Sequence, residues 1–207
     1  KKALSLISTG IDSDVATSIM LDKEIKVDCI HFDVYDGKNG KISSNLKNII
    51  ERIQKNSKTK INLFNINFRE IQEKIKNSCN TRYQCLICKR FMYRIAEKIA
   101  EKKGNDFLIT GENLGQVASQ TLDNMYVLDR SVEIPVLRPL LSYDKVEIIQ
   151  KAKKLKTYKL SIKFSFKCPY VPRNPLTQAN LADVLIEEDK INISEMIKSA
   201  LRSPINL

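Results

Sequence analysis

A turn of small hydroxyl-bearing residues near the start of the chain has the composition of a phosphate-binding site. An apolar run of strand length leads into Ser8, Thr9 and Gly10, and an amphipathic helix is predicted over residues 12–23. The first turn of a helix presents free backbone N–H groups and favours negative charge, and Ser13 adds a further hydroxyl donor. The turn lacks the lysine of Gly-x-x-x-x-Gly-Lys-Ser loops, so it is not an ordinary P-loop. By itself it predicts either an anion site of another type or a capped helix.

Cysteines form the second group of residues that could do chemistry. Cys85 and Cys88 form a CxxC pair at the start of a helix predicted over residues 85–102, where the helix dipole favours the thiolate. Cys168 lies far away in sequence, just before a proline. The chain has five cysteines and no secretory signal pattern. We therefore expect a reducing compartment, the cytoplasm, in which thiols serve metals or catalysis rather than disulfides.

The length and composition of the chain predict one domain plus an appendage. The chain has 207 residues, of which 43% are hydrophobic, so it can bury a full core. No run approaches the roughly 18 apolar residues that span a bilayer, and we expect no membrane partner. The sequence starts at Lys1 without a methionine, which leaves open whether it is a fragment of a longer protein.

A net charge of +11 predicts a polyanionic partner such as nucleic acid. Seven lysines and no acid lie within residues 151–167, although a solvated face of a lysine-rich protein would explain them equally well. The candidate RNA contacts are Lys151, Lys153, Lys154, Lys163 and Lys167, with Arg94 and Arg138 as weaker candidates.

Strand and helix patterns alternate along the chain. Strands are predicted over residues 3–7, 26–32, 61–68, 107–110 and 136–141. Helices are predicted over residues 12–23, 43–55, 69–76, 85–102, 142–155, 178–189 and 194–201, with Ser142 as one N-cap, Gly104 as a C-cap and a polar loop over residues 35–41. This alternation predicts an α/β fold with a doubly wound, mainly parallel sheet and a small helical C-terminal appendage. Ligands of such sheets bind beyond the carboxyl ends of the strands.

Two motifs carry a resemblance to known enzymes. The turn at Ser8 to Ser13 resembles the PP-loop, Ser-Gly-Gly-x-Asp-Ser, of ATP pyrophosphatases, with Thr9 in place of the middle glycine. Residues 110–121 read Thr-Gly-Glu-Asn-Leu-Gly-Gln-Val-Ala-Ser-Gln-Thr and resemble the signature of tRNA 4-thiouridine synthetases, the ThiI family. The similarity runs from residue 3 to about residue 179 and includes further blocks at residues 88–96, 134–140 and 144–149.

The resemblance implies a PP-loop domain over residues 1–167, of the adenine nucleotide alpha hydrolase-like type, and a C-terminal segment over residues 168–207 packed on it. Enzymes of this family use ATP to adenylate O4 of the uridine at tRNA position eight, and sulfur then displaces AMP. Asp12, Ser13 and Cys168 match catalytic positions, with Asp12 orienting Mg²⁺. Lys89 stands where the family often has arginine, and Asp14 where proline is frequent. The implied ATP-binding residues are Leu6, Ile7, Ser8, Thr9, Gly10, Asp12, Ser13, His31, Phe32, Lys89, Gly111 and Gln120.

The resemblance also suggests a role for the three cysteines. In archaeal members of the family Cys85, Cys88 and Cys168 correspond to cysteines associated with an iron–sulfur cluster, so we expect a [4Fe–4S] or [3Fe–4S] cluster here. Two alternatives remain: a Zn²⁺ site with Cys79 as fourth ligand, or a metal-free persulfide on Cys168. The sulfur donor is accordingly sulfide or a persulfide.

Family members normally carry an N-terminal region with a THUMP domain that grips tRNA, and this sequence contains none of it. The predicted function is therefore an ATP-dependent tRNA sulfurtransferase that is either a catalytic-domain fragment or borrows its tRNA recognition. A PP-loop enzyme acting on a different substrate is the second hypothesis. A nucleotide- and cluster-binding accessory protein is the third. The sequence leaves the oligomeric state open, including a homodimer.

Overall fold

The computed structural model describes residues 1–35, 40–163, 168–202 and 205–206, with the backbone alone at residues 40–43 and 205–206. The strands are β1 (Lys2–Leu6), β2 (Lys26–Asp33), β3 (Leu63–Asn67), β4 (Phe107–Ile109), β5 (Val136–Leu137) and β6 (Ile205–Asn206). The helices are α1 (Ile11–Leu21), α2 (Gly40–Ser57), α3 (Arg69–Ser78), α4 (Gln84–Lys103), α5 (Leu122–Asp129), α6 (Lys145–Lys154), α7 (Tyr158–Lys163), α8 (Leu181–Glu188) and α9 (Ile193–Leu201).

The strands form one sheet in the order β5-β4-β1-β2-β3-β6. The first five are parallel, and β6 pairs antiparallel with β3 at the edge. Neighbouring residues of β1 point to opposite faces: Ala3 packs with α1, α2 and α6, whereas Leu4 packs with α3, α4 and α9. The predicted doubly wound α/β fold is confirmed. Because β1 is central, the turn that follows it lies at the middle of the carboxyl edge.

Several predicted boundaries were wrong near the fifth strand. β5 covers only two residues, because the chain turns away at Arg138 and forms turns as far as Ser142. The N-cap of α6 is Asp144 rather than Ser142: its side chain accepts from the Glu147 N–H, and the Glu147 side chain accepts from the Asp144 N–H. The reciprocal capping box determines where this helix begins.

Some sequence predictions fall partly or wholly outside the described residues. Among them are the polar loop over residues 35–41, of which residues 36–39 are not described, and Lys167. The boundary at residues 167/168 between domain and C-terminal segment also stays a prediction. Among the helices of the described ranges, none has the length and apolar character needed to cross a bilayer.

A buried ion triad fastens α8 to α4. Arg90 donates from Nε and Nη2 to the two carboxylate oxygens of Glu188 at 2.8 and 3.0 Å, and Arg94 donates to the same oxygens at 2.7 and 2.8 Å. The Arg90 and Glu188 side chains are each only 1% exposed. Burial alone would raise the pKa of Glu188, but the two guanidinium groups outweigh it and lower that pKa.

We expect Glu188→Gln to destabilise the fold by about 3–5 kcal/mol, because it leaves the buried Arg90 charge without its carboxylate. Urea unfolding at neutral pH measures the change in the free energy of unfolding. The control is Asp189→Asn, which removes the same charge from the exposed neighbouring residue and should change that free energy by less than about 0.5 kcal/mol. Equal effects of the two substitutions would contradict a stabilising role for the triad.

A buried carboxyl group joins α1 to α7. Asp14 is fully buried, and its Oδ2 accepts a hydrogen bond from Ser161 Oγ at 3.0 Å. Burial raises the pKa of Asp14 to about 7, with a smaller contribution from Asp12, and hydrogen bonds from Thr157 and Ser161 only partly oppose it.

Since the folded-state pKa lies above the unfolded one, folding favours protonated Asp14, and stability falls as the pH rises toward 7. Between about pH 5 and pH 8 this amounts to a loss of about 3 kcal/mol in the free energy of unfolding. Asp14→Asn should remove that dependence and be more stable than the wild type at the upper pH. Parallel urea titrations of both proteins at the two pH values test this. A pH dependence retained by the asparagine variant would assign it to other groups.

Candidate active site

The turn between β1 and α1 is held closed by its own serine hydroxyl groups. Ser8 N–H donates to Ser13 Oγ at 3.0 Å, and Gly10 N–H donates to Ser8 Oγ at 3.1 Å. Gly10 is the N-cap of α1 and no side chain caps that end. The N–H groups of the first turn of α1 therefore face the carboxyl edge of the sheet without an internal side-chain acceptor, which suits an anion.

The substitution of Thr9 for glycine needs no unusual backbone. Gly10 has a φ of −82°, and Thr9 is not among the described residues with positive φ. The turn keeps the backbone conformation that ordinary residues adopt. Threonine therefore fits this turn without backbone strain.

A cavity of about 300 Å³ opens at this turn. Eleven of the twelve residues predicted to bind ATP line it: Leu6, Ile7, Ser8, Gly10, Asp12, Ser13, His31, Phe32, Lys89, Gly111 and Gln120. Thr9 does not line it. Four further residues line the cavity that were not predicted from the sequence: Met92, Tyr93, Thr110 and Glu112. The helical spacing of Lys89, Met92 and Tyr93 on α4 was the available signal for two of them.

Two side chains give this cavity unpaired hydrogen-bond acceptors. Gln120 Oε1 is buried and has no hydrogen-bond partner among the described residues. His31 Nδ1 lies 3.0 Å from the Ile7 carbonyl oxygen, which can only accept, so Nδ1 carries the proton. Burial lowers the pKa of His31, so the ring is neutral and its Nε2 is an acceptor. Acceptors of this kind suit amino or hydroxyl donors on a nucleoside.

Glu112 is the centre of a buried charge network at the cavity floor. It accepts from Lys89 Nζ at 2.8 Å, from Tyr93 Oη at 2.6 Å and from Arg138 Nε at 2.8 Å. Burial alone would raise its pKa, but the two cations outweigh this and lower the pKa to about 2. Asp129 holds the other side of Arg138 at 2.6 Å. The network thus fixes the Lys89 ammonium group at the edge of the cavity.

Lys145 was missed as a site residue by the sequence analysis. Its Nζ donates to Asp12 Oδ1 at 2.6 Å. This contact places a cation from the start of α6 against the turn at Ser8 to Ser13, which we call the phosphate turn after its predicted role. The lysine that an ordinary P-loop carries within the loop is absent here, and Lys145 supplies such a charge from a distant element. The signal in the sequence was a lysine directly after the N-cap of a helix that follows the last parallel strand.

The CxxC pair lies one helical turn from the cavity. Cys85 and Lys89 are four residues apart on α4, as are Cys88 and Met92, so each thiol stands above a lining residue on the same helix face. The positive charge of Lys89 acts on both thiols and works to lower their pKa values. The CxxC thiols and the cavity are therefore neighbours.

The three cysteines interact, but in the described residues they do not form a ready-made metal site. Burial raises the pKa of Cys88, and the thiols of Cys168 and Cys85 raise it further. Burial and Cys168 likewise raise the pKa of Cys85. The expectation that the helix dipole gives thiolates here was wrong, because burial is the larger effect. Within the described ranges no group of three or more His, Cys, Asp or Glu side chains is arranged to hold a metal ion.

The remaining cysteines have other surroundings. Cys79 Sγ donates to the Glu187 carbonyl oxygen at 3.3 Å, which gives it a partner on α8 and no support as a fourth zinc ligand. Cys29 is fully buried within β2 and serves as a small apolar side chain.

The predicted RNA contacts differ in how available they are. Arg94 and Arg138 are held by the carboxylates described above, which leaves their guanidinium groups less available to phosphate. Lys151 lies 5.1 Å from the Tyr143 ring centroid, and Lys153 lies 5.3 Å from that of Tyr158. Lys153, Lys154 and Lys163 are exposed, and their contact with RNA stays a prediction.

Residues 1–193 match the sequence profile of the family described as thiamine biosynthesis protein (ThiI). The chain belongs to the ThiI family. A probable tRNA sulfurtransferase of Finegoldia magna is 37% identical over 202 residues, which are 97% of this chain and 51% of that protein. A protein of the same name from Methanocaldococcus jannaschii is 34% identical over 93% of this chain and 50% of its own length.

A solved structure confirms the fold of this ThiI chain. A crystal structure described as a 4-thiouridine synthetase–RNA complex with bound ATP superposes with a TM-score of 0.95 at 32% identity, over 100% of this chain and 54% of that one. The present chain thus spans about half the length of the curated relatives that it matches.

Proposed function

We propose that this chain is the catalytic part of an ATP-dependent tRNA sulfurtransferase that makes 4-thiouridine. The observation that carries the proposal is the cavity at the carboxyl edge of the sheet, which gathers the phosphate turn, the Lys89 ammonium group and the unpaired Gln120 acceptor. Support comes from family membership and from the ATP and RNA named for the similar solved structure. The free thiols suit a reducing compartment, the cytoplasm.

The first proposed step is adenylation of the uridine. ATP enters as its Mg²⁺ complex, O4 of the uridine attacks the α-phosphorus, and pyrophosphate leaves. The N–H groups of the first turn of α1, with Ser8 and Ser13, would hold the departing pyrophosphate. Lys145 would stabilise the charge that develops on it, and Asp12 is our candidate carboxylate for orienting Mg²⁺.

Lys145→Gln should slow ATP–pyrophosphate exchange by roughly 10²–10³-fold, because it removes a fixed positive charge from the phosphate turn. The matched control is Lys55→Gln at the exposed end of α2, which removes the same charge from a helix with no proposed role in the site and should leave the rate unchanged. An exchange rate in Lys145→Gln equal to that of the control would remove Lys145 from the reaction.

The second proposed step exchanges oxygen for sulfur at C4. Hydrosulfide attacks C4, the C4–O bond breaks, and AMP leaves with the electron pair. A persulfide on Cys168 would instead give a disulfide between C4 and Cys168, which a second cysteine thiolate must cleave to release 4-thiouridine and form a protein disulfide. Cys168 takes part in delivering this sulfur, and Cys85 and Cys88 stand one helical turn from the cavity. Adenylation thereby turns O4 of the uridine, a poor leaving group, into a good one before the sulfur attacks.

We also propose that Cys85, Cys88 and Cys168 hold an iron–sulfur cluster. The donor set supports it, because three soft sulfurs repel one another as thiolates and iron would relieve that repulsion. When bound, the cluster would offer an iron site for hydrosulfide. Anaerobic purification with iron and acid-labile sulfide analysis tests this. Zinc in place of iron would favour the structural-site alternative, and a colourless, metal-free but active protein would favour a persulfide on Cys168.

The direct test of the function is mass spectrometry of tRNA nucleosides after incubation with ATP, Mg²⁺ and sulfide. We expect 4-thiouridine only when ATP and the protein are both present. Exchange of ATP and pyrophosphate without any RNA would favour a PP-loop enzyme with another substrate. ATP binding without exchange, even with tRNA, would favour an accessory protein.

A further inference from the structure

A second, larger cavity lies away from the nucleotide site and carries two arginines. Its volume is about 620 Å³, and Thr81, Arg82, Pro172, Arg173 and Asn174 line it. We call it the arginine cleft. Arg82 belongs to the short turn that precedes α4, and Arg173 belongs to the segment that follows Cys168. The two arginines therefore come from separate parts of the chain.

The arginine cleft is positively charged and its charges are uncommitted. Neither guanidinium group forms an ion pair or hydrogen bond with another described side chain, in contrast to Arg94 and Arg138. The lining contains no carboxylate. Glu187, which accepts from the Asn80 N–H at 2.7 Å, is already paired with Lys190 at 2.7 Å. Both arginines are exposed and can meet a ligand from solution.

The backbone around the arginine cleft is fixed at both walls. Leu176 N–H donates to the Arg82 carbonyl oxygen at 3.0 Å, which ties the two walls directly to each other. Tyr170 Oη donates to Glu73 Oε1 at 2.6 Å, and Asn124 Nδ2 donates to the Leu176 carbonyl oxygen at 2.8 Å. Pro172 adds a fixed φ to the same segment. The cleft is thus prearranged, which lowers the entropic cost of binding.

The position of the arginine cleft links it to the thiols. Arg82 precedes Cys85 by three residues, and Arg173 follows Cys168 by five. The two walls of the cleft therefore belong to the same short segments of the chain that carry Cys85 and Cys168. Arginine is the residue best matched to phosphodiester oxygens, because its planar fork donates two parallel hydrogen bonds.

We infer that the arginine cleft binds the phosphate backbone of the substrate RNA and positions the nucleotide that receives sulfur. This inference rests on the proposed function and names the surface by which the substrate is gripped. Thr81 and Asn174 add neutral hydrogen-bond donors, which can also contact phosphate and sugar oxygens.

The test compares RNA affinity of the full-length protein with that of Arg82→Gln/Arg173→Gln, using an unmodified tRNA transcript. We expect affinity to fall about tenfold, and the slope of log K against log salt to become shallower by about 1.4–1.8 between about 50 and 200 mM salt. The control, Arg52→Gln/Arg202→Gln, removes the same charge from α2 and from the end of α9 and should leave that slope unchanged. ATP affinity should be unchanged in both.

Equal slopes and affinities in the two double variants would overturn the inference, as would a wild type that does not bind the transcript. Nucleoside mass spectrometry on the same proteins separates this from the proposed function. If both double variants thiolate tRNA at the wild-type rate, RNA binding by the arginine cleft would be contradicted and the proposed function would stand. If the cleft variant loses RNA affinity but the wild type makes no 4-thiouridine, RNA binding by the arginine cleft would stand and the proposed function would be contradicted.

Discussion

Gly111→Ala should abolish measurable ATP binding, with an affinity at least roughly 100-fold below that of the wild type. A Cβ atom at this position would lie 2.7 Å from the Asp12 carbonyl carbon and from the Ser13 nitrogen, and 2.8 Å from Ser13 Cα. These are backbone atoms of the phosphate turn, which cannot rotate aside as a flexible side chain can. The methyl group would push the turn out of place, so the N–H groups that face the phosphates would no longer converge.

Isothermal titration with ATP and Mg²⁺ measures this loss directly. The matched control is Gly104→Ala, at the C-cap of α4, where a Cβ atom meets nothing within 4 Å but φ is +66°. The control should lose about 1–2 kcal/mol of stability because of its left-handed backbone, and still bind ATP normally. ATP binding by Gly111→Ala at the wild-type affinity would show that the turn is not the phosphate site.

Cys168→Ala should separate the two proposed steps. Exchange of ATP and pyrophosphate should continue, because Cys168 does not line the nucleotide cavity, whereas 4-thiouridine formation should fall by roughly a thousandfold or more. Cys168 lies close enough to the CxxC pair to raise the pKa values of Cys85 and Cys88, which supports a role in sulfur transfer.

Cys29→Ala is the control for this experiment, because it removes a thiol that is buried in β2 and takes no part in the site. It should retain both activities. Thiolation in Cys168→Ala at the wild-type rate would exclude this cysteine from sulfur transfer. A loss of pyrophosphate exchange as well would mean that Cys168 acts in adenylation or in RNA binding.

Local sequence patterns predicted the elements that carry the phosphate turn. The turn after β1 and the residues around Gly111 both sit where an apolar strand ends in small residues, and parallel strands bring such ends together. The spacing of Leu46, Ile49, Ile50 and Ile53 correctly indicated a buried face of α2. The spacing of apolar residues and the small residues that end a strand are local properties, so they can be recognised in the sequence.

Long-range pairs could not be predicted in this way. The ion pair between Lys145 and Asp12 joins residues that are 133 positions apart. The contacts of Arg90 and Arg94 with Glu188 depend on how α8 packs on α4. Arg94 appeared available for phosphate, but only the fold shows that Glu188 holds it together with Arg90. Arg82 and Arg173 drew no attention because neither belongs to a basic run.

The most direct test of the central claim is the exchange of labelled pyrophosphate into ATP, with and without unmodified tRNA. We expect pyrophosphate exchange that depends on tRNA and is lost in Gly111→Ala. Exchange that proceeds equally well without RNA, or ATP binding with no exchange when tRNA is present, would contradict the claim that this site activates a tRNA uridine.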